Sequence, residues 1–181
     1  MIFIRDFNEE RAAARLAELL ALEYGIRSSA ASQIRAAAAL HDVGKMKIPA
    51  SILNKPGKLD AREFEVMKTH TKIGAEILSS ITGELGVMAR AVCLYHHERY
   101  DGGGYWGKRY DELPNYVHFT AMSDVFTALI SSRPYKQPWP PTEALDYIQS
   151  QSGKQFSPAL VSVFIPLVRS DSRVRALFEG V

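Results

Sequence analysis

The chain has 181 residues, of which 46% are hydrophobic and 23% are charged, and its 22 basic and 20 acidic side chains leave a formal charge of +2. This length suits one domain with a sizeable core, predicted over residues 1–181, and the balanced charge excludes an obvious DNA- or RNA-binding protein. The single cysteine excludes an intrachain disulfide and a zinc site built from thiolates. Without a signal core or an apolar run of spanning length, we expect a cytoplasmic protein without membrane contact.

The dominant hydrophobic period along the chain is helical, with no β-alternation and no repeat of fixed length. In chain order, the predicted helices cover about residues 9–24, 29–43, 60–78, 84–98, 115–131, 142–152 and 158–167. Glycine or proline marks most of their ends, as Gly44 does after the second helix. Asp60 and Glu63 have the spacing of a capping box at the start of the third. We therefore predict an all-α fold, a bundle of about seven helices.

The histidines are not scattered along these helices. His41 and Asp42 are adjacent and stand just before Gly44, where a helix should end. Neighbouring side chains inside a helix point about 100° apart, but at a helix end the backbone can turn so that both address one cation. The last carbonyl groups of the helix add negative potential that favours a metal ion. His96 and His97 repeat this arrangement before a glycine-rich loop.

Two further side chains complete a candidate metal site. His70 lies within the predicted third helix, and Asp124 stands in an otherwise apolar helix, where a carboxylate is costly unless a cation or donors satisfy it. Four imidazoles and two carboxylates can hold two divalent first-row metal ions, with Asp42 as a natural bridge. Nitrogen and oxygen ligands without thiolates favour iron or manganese, with nickel, cobalt and zinc as alternatives. Such a pair of ions is typical of a phosphodiesterase.

Each of these motifs, taken alone, has a plainer interpretation. An adjacent His–Asp pair is more often a solvated helix end than a metal site, and Asp124 alone fits a helix cap or a surface position. His118 has no matching partner and fits a surface or packing role. Cys93 is best interpreted as a small buried hydrophobic residue. The order and spacing of the motifs have to decide between these interpretations.

Five blocks of sequence carry a family resemblance, in the order HDVGKMKIPASILNKPGKL, MKTHTKIGAEIL, HHERYDGGGY, SDVFTALISSRPY and GKQFSPALVSVF. From about residue 9 to residue 164, the chain resembles the HD-GYP family of bacterial cyclic-di-GMP phosphodiesterases, a branch of the HD superfamily. The resemblance implies an HD-domain helical bundle and a centre of two or three metal ions. It also implies hydrolysis of cyclic-di-GMP to linear pGpG and onward to GMP.

The resemblance further assigns roles to individual residues. The implied metal ligands are His41, Asp42, His70, His96, His97 and Asp124. Among catalytic residues, Asp42 would bridge the metals and help to hold the attacking water, and Lys45 would stabilise charge on the scissile phosphate. Tyr105, Arg133 and Lys136 join Lys45 as implied substrate-binding residues. An arginine fork suits a phosphate or the Hoogsteen edge of guanine.

The sequence departs from the family pattern at several places, one of which is the segment NYVHF, where His118 lies near the position of a family arginine. Asn8 stands where the family has a histidine upstream of the HD pair, and it fits a helix cap better than a ligand. The GYP signature reads Gly104-Tyr105-Trp106, so the proline that would pre-set the turn is missing. These departures motivate an alternative function, a degenerate receptor that binds a cyclic dinucleotide without cleaving it. Such a receptor would use the Tyr105–Trp106 rim to contact a GGDEF-type partner domain.

In a third hypothesis the chemistry is retained but the substrate is another cyclic dinucleotide or a nucleotide monophosphate.

Overall fold

The structure is a computed structural model that describes residues 7–132 and 137–178, with side chains from residue 9 onward. Over these ranges the regular elements are α-helices and short 3₁₀ helices, without a β-strand. The predicted all-α fold is therefore confirmed. Within the same ranges, no helix combines the length and the apolar character that crossing a bilayer requires.

The α-helices of the described residues are more numerous than the predicted seven. They are α1 (Phe7–Glu23), α2 (Ser28–Ala38), α3 (Ala50–Leu53), α4 (Ala61–Lys68), α5 (His70–Ile77), α6 (Gly83–Tyr95), α7 (Asn115–Ile130), α8 (Pro141–Ser150), α9 (Pro158–Ser170) and α10 (Ser172–Ala176). Three 3₁₀ helices cover Val43–Lys47, Leu78–Ser80 and Tyr110–Glu112.

The predicted third helix is in fact two helices, α4 and α5, that meet at Thr69. Its start is as predicted, because Asp60 and Glu63 form a capping box in which each backbone N–H donates to the other's carboxylate at 2.8 Å. The Thr69 hydroxyl donates to the carbonyl oxygen of Val66 at 2.6 Å, a local bond that competes with the helical ladder. The break makes His70 the first residue of α5, rather than a residue inside a long helix.

Gly44 has a different role from the predicted one. Helix α2 already ends at Ala38, and Gly44 lies within the 3₁₀ helix without a positive φ. A Cβ atom on Gly44 would collide with the carbonyl oxygen of His70 and lie 2.6 Å from the backbone nitrogen of Gly74. Glycine is needed here because the two backbones approach so closely. This contact brings the turn that carries His41 and Asp42 beside α5.

The apolar core is built mainly from α1, α2, α6, α7 and α9. Leu16 and Leu20 of α1 are fully buried, as are Phe119 and Phe126 of α7. Phe126 meets Phe164 of α9 edge to face, with 5.3 Å between the ring centres. Because α7 also carries Asp124, the core fixes one wall of the candidate site.

Candidate metal centre

The six predicted metal ligands come from four regions of the fold: His41, Asp42, His70, His96, His97 and Asp124. The first two lie in the turn between α2 and the first 3₁₀ helix, and the third opens α5. The histidine pair directly follows α6, and the last residue lies within α7. Both adjacent pairs, His41–Asp42 and His96–His97, thus follow the end of a helix. This is where the sequence predicted that two neighbouring side chains can address one cation.

The structure brings these side chains together in two groups that can each hold a metal ion. One group is Asp42, His70, His96 and His97, the other is His41, Asp42 and Asp124, and within each the potential ligand atoms lie within 4.8 Å of one another. The Oδ1 atom of Asp42 lies 3.3 Å from Nε2 of His70 and 3.6 Å from Nε2 of His96. Its Oδ2 atom lies 3.4 Å from Nε2 of His41. The two oxygens of Asp42 thus face different groups.

Backbone contacts fix the orientation of three histidine rings. Nδ1 of His41 lies 2.7 Å from the carbonyl oxygen of Ala38, and Nδ1 of His70 lies 2.7 Å from that of Met67. Nδ1 of His96 has two such carbonyl partners, at 3.0 and 3.1 Å. Because a carbonyl oxygen only accepts hydrogen bonds, Nδ1 is the donor in each ring. In the neutral ring, Nε2 then carries the lone pair and faces the cluster, as in a metal-binding histidine.

The spacing of the ring nitrogens fits a shared metal ion. Nε2 of His70 lies 3.4 Å from Nε2 of His96. Two lone pairs that face each other at this distance repel, unless a proton or a cation lies between them. Two nitrogen ligands bound to one ion at about 2.1 Å would themselves be roughly 3 to 3.5 Å apart. The donor set and its geometry therefore fit a metal ion.

Burial and the two carboxylates act on the histidines in opposite directions. Burial lowers the pKa of His96, and burial together with the His96 ring lowers the pKa of His97 well below its ordinary value. Burial acts the same way on His41, but Asp42 and Asp124 outweigh it and raise the pKa of His41 to about 10. The carboxylates of Asp42 and Asp124 thus favour the protonated, positively charged form of His41.

Lys45 lies where the buried cluster meets solvent. Its Nζ atom forms an ion pair with Oδ2 of Asp42. The Lys45 side chain is 15% exposed, whereas that of Asp42 is only 1% exposed. A positive charge is thus held at the mouth of the cluster.

A buried carboxylate that the sequence analysis missed, Glu98, shapes the glycine-rich loop. Its two oxygens accept hydrogen bonds from the backbone N–H groups of Trp106 and Lys108, each at 2.7 Å. A Cβ atom on Gly104 would lie 2.5 Å from Cα of Glu98, so the loop lies directly against the end of α6. The available signal was a glutamate between the histidine pair and a loop whose N–H groups need acceptors.

The two residues of the altered signature have different surroundings. The ring of Tyr105 lies over His97, with 4.4 Å between the ring centres. The Trp106 indole N–H donates to the carbonyl oxygen of Leu94 at 3.1 Å, and Nζ of Lys72 lies 4.0 Å from the indole centre. Trp106 therefore anchors the loop to α6, and Lys72 covers part of the indole face that the receptor hypothesis assigned to a partner domain.

A cleft of about 280 Å³ opens beside the histidine pair. Its lining includes Phe64, Lys68, His97, Arg99 and Tyr105. Only His97 and Tyr105 were predicted as site residues. The shared residue His97 connects the cleft with the four-residue group of the cluster.

The remaining predicted residues do not join the cluster or fall outside the description. Arg133 and Lys136 lie outside the described residues, and so does the side chain of Asn8. His118 is only 8% exposed and stacks on Tyr110, to whose carbonyl oxygen its Nε2 donates at 3.0 Å. Burial lowers the pKa of His118 despite this bond. His118 thus has the packing role that the sequence left open for it.

Comparison with known proteins places this arrangement in a family. A family model described as "HD domain" matches residues 3–160. The chain belongs to the HD domain family. The resemblance drawn from the sequence blocks is thereby confirmed, and the similar curated proteins carry names of the same kind.

Three curated relatives show the extent of the similarity. The chain is 42% identical over 167 residues to "Cyclic di-GMP phosphodiesterase" of Thermotoga maritima, which covers 90% of this chain and 45% of that protein. It is 42% identical over 149 residues to "3'3'-cGAMP-specific phosphodiesterase 2" of Vibrio cholerae, covering 82% and 28%. For "Cyclic di-GMP phosphodiesterase response regulator RpfG" of Xanthomonas campestris, the identity is 41% over 153 residues, covering 84% and 40%. The chain therefore spans less than half the length of each.

Solved structures show the same fold at low sequence identity. "Bd1817, a HDG"Y"P protein from Bdellovibrio bacteriovorus", superposes with a TM-score of 0.72 at 16% identity, covering 90% of this chain and 52% of that one. The HD domain of the Listeria monocytogenes phosphodiesterase PgpH, solved with cyclic-di-AMP, gives a TM-score of 0.60 at 16% identity, covering 97% and 92%. Both confirm the HD-domain helical fold.

Proposed function

We propose that this chain is a metal-dependent phosphodiesterase that hydrolyses cyclic-di-GMP to linear pGpG and onward to GMP. The observation that carries the proposal is the buried carboxylate of Asp42, whose two oxygens face two separate groups of potential metal ligands. A carboxylate between two ions is typical of centres that cleave phosphodiesters. The names of the relatives, which are cyclic dinucleotide phosphodiesterases, support the same reaction and substrate class.

We further propose that the centre takes two divalent first-row metal ions, with iron or manganese favoured and nickel, cobalt and zinc as alternatives. One ion would be held by His41, Asp42 and Asp124, and the other by Asp42, His70, His96 and His97. Two such ions lower the pKa of a shared water molecule and polarise a phosphoryl oxygen. This donor set contains no thiolate, in keeping with catalysis rather than a closed structural zinc site.

The residues of the chain supply orientation and charge for this reaction. The Nδ1 contacts of His41, His70 and His96 with backbone carbonyls hold the rings in one orientation. The rings therefore need little rearrangement when a metal ion binds. The Lys45 ammonium group, held at the mouth of the cluster, would stabilise negative charge that develops on the phosphate. The predicted contacts of Arg133 and Lys136 with the substrate belong to the same proposal.

The substrate and the partner rest on the relatives and the resemblance. Relatives of similar identity are named for cyclic-di-GMP and for 3'3'-cGAMP, so the family alone does not select the base. A GGDEF-type domain as a partner stays a prediction from the resemblance. The degenerate receptor is not favoured, because the curated relatives are named as phosphodiesterases.

A product assay with parallel metal analysis tests the proposed function. Purified protein is loaded anaerobically with iron or manganese and incubated with cyclic-di-GMP or 3'3'-cGAMP, and the nucleotides are separated by chromatography. We expect about two metal ions per chain and metal-dependent formation of the linear dinucleotide. The His41→Ala variant should lose this turnover.

A histidine outside the cluster provides the matched control. His118→Asn should keep the metal content and the turnover of the wild type, because His118 packs against Tyr110 and is not in either group. Intact substrate with fully metal-loaded wild-type protein would contradict the proposed function and favour a receptor. Equal metal loss in both variants would contradict the assignment of His41.

A further inference from the structure

The cleft beside the cluster contains an aromatic pair that metal binding does not require. Phe64 of α4 is 43% exposed, although a phenyl ring is normally buried. Its ring meets Tyr105 edge to face, with 5.7 Å between the ring centres. Tyr105 in turn lies 4.4 Å from the ring of His97, which belongs to the metal cluster. Tyr105 thus contacts both the exposed ring of Phe64 and the ring of the cluster residue His97.

Cationic side chains accompany the aromatic pair. Nζ of Lys68 lies 5.7 Å from the ring centre of Phe64 and 5.9 Å from that of Tyr105. Its side chain is only 18% exposed, and its ion-pair partner Glu65 is 68% exposed. Arg99 also lines the cleft, with its guanidinium group paired to Asp101. Because Glu65 is largely exposed, water screens its pairing with Lys68, and Lys68 can also attract an anionic ligand in the cleft that it lines. The combination favours a ligand with both a flat ring and negative charge.

The size of the cleft limits what it can hold. Pockets that enclose a whole small ligand usually measure 300 to 1,000 Å³, and this cleft measures about 280 Å³. It suits one base with its sugar rather than a complete cyclic dinucleotide. The rest of such a ligand would extend along the side that His97 shares with the metal cluster.

We infer that this cleft is a nucleobase subsite, in which one base of a cyclic dinucleotide stacks on Phe64 while its phosphate lies at the metal cluster. Lys68 stabilises the bound nucleotide through its positive charge, and Tyr105 supports the Phe64 ring from the side. The inference rests on the proposed function for the class of ligand. It adds α4 as a binding element, with Phe64 and Lys68 as its binding residues.

Equilibrium binding tests the subsite independently of turnover. The metal-loaded full chain is titrated in a calorimeter with the hydrolysis-resistant bis-phosphorothioate of cyclic-di-GMP, and with that of 3'3'-cGAMP. Phe64→Leu removes the ring but keeps an apolar side chain, and we expect about fivefold to a hundredfold weaker binding, the range for loss of one stacked base. Phe64→Trp restores a ring and should bind like the wild type. Lys68→Met should weaken binding and reduce its salt dependence.

Val66 provides the matched control on the same helix. It is 37% exposed and does not line the cleft, so Val66→Ala should bind like the wild type. Metal content and the midpoint of thermal unfolding, measured for every variant, should not change. A cyclic dinucleotide carrying 2-aminopurine should lose fluorescence on binding to the wild type, through stacking, and lose less on binding to Phe64→Leu.

The outcomes separate this inference from the proposed function. Wild-type affinity in Phe64→Leu, or an equal loss in Val66→Ala, would overturn the subsite even if the enzyme turns over its substrate. Absence of binding to the wild type would also overturn it. Ring-dependent binding without any linear product in the chromatographic assay would uphold the subsite and overturn the phosphodiesterase.

Discussion

The apolar core and most of the candidate metal cluster are closed to solvent, but they differ in what burial does to them. Leu20 and Phe126 in the core are fully buried, and so is His70 in the cluster. Burial of the core side chains stabilises the fold because it removes apolar surface from water. Burial of imidazoles and carboxylates is unfavourable unless hydrogen bonds or a cation compensate for it. The apolar core thus supplies stability that offsets the unfavourable burial of the polar cluster.

The two regions also differ in how they are built. Core residues such as Leu16 and Leu20 repeat at helical spacing within one element. Most cluster residues instead stand at ends of elements, where His41 follows α2 and His96 follows α6. The core therefore depends on the volume of its side chains, and the cluster on the exact geometry of a few charged and polar atoms.

The largest expected effect comes from a change in the cluster, Asp42→Asn. An amide oxygen is a much weaker ligand than a carboxylate, and both groups share Asp42. We expect loss of metal from both positions and a fall in turnover on the order of a hundredfold or more. Elemental analysis of the folded protein and the product assay measure these two effects.

Asp124→Asn is the control for that change, since Asp124 belongs to only one group. It should remove no more than one metal ion per chain. If Asp42→Asn retained two ions, Asp42 would not be the shared ligand.

A change in the core, Leu20→Ala, should lower the stability of the fold but not the metal content of the folded protein. Deleting a fully buried leucine leaves a cavity, so the free energy of unfolding should fall by about 2 to 5 kcal/mol. Urea unfolding followed by circular dichroism measures this loss. The fraction that stays folded should bind as much metal as the wild type, and a lower metal content per folded chain would show that the two regions are coupled.

Gly44→Ala tests the contact that joins the cluster to α5. The added Cβ collides with the carbonyl oxygen of His70, and overpacking of this kind costs about 1 to 3 kcal/mol. We expect a lower free energy of unfolding together with weaker metal binding, because the collision displaces His70. Denaturant unfolding and metal titration measure the two effects.

Gly74→Ala provides the comparison at the same contact. Its Cβ would lie 3.2 Å from Sγ of Cys93 and 3.3 Å from the backbone nitrogen of Gly44, which small shifts can relieve. Alanine also favours the helix by about 1 kcal/mol. The variant should be close to the wild type in stability, and a loss as large as that of Gly44→Ala would contradict this account.

Trp106→Phe has the smallest expected effect and tests the loop beside the cluster. It removes the indole hydrogen bond to Leu94, which is worth about 1 kcal/mol. We expect faster hydrogen exchange at the backbone amides of Trp106 and Lys108, while the metal content stays the same. Trp139→Phe, at a tryptophan that precedes α8, should leave this exchange unchanged, and slow exchange in both variants would show that the indole is not the anchor.

The outcome for particular residues shows how far local patterns reach. The capping box of Asp60 and Glu63 was predictable because both partners are three residues apart. The helix break at Thr69 was not predicted, since the hydrophobic period continues across it. Glu98 was missed because its partners, the amides of the folded loop, are eight and ten residues away.

The same limit applies to the site as a whole. The residue types and their order along the chain predicted six metal ligands, and the structure brings all six together. Whether these residues bind metal, and whether Arg133 and Lys136 bind substrate, stay predictions. The cleft residues Phe64 and Lys68 carried no signal, because an exposed phenylalanine looks like a core residue in a sequence.

The sequence by itself determined the helical character of the chain, the positions of most helices, and the set of side chains that can bind metal. These properties depend on periodicity and on chemistry within a few residues, which the order of amino acids specifies directly. Only the tertiary structure decided that the two oxygens of Asp42 face different groups, that Gly44 lies against α5, and that Phe64 meets Tyr105. Such contacts join residues far apart in the chain, and their distances follow from how the helices pack.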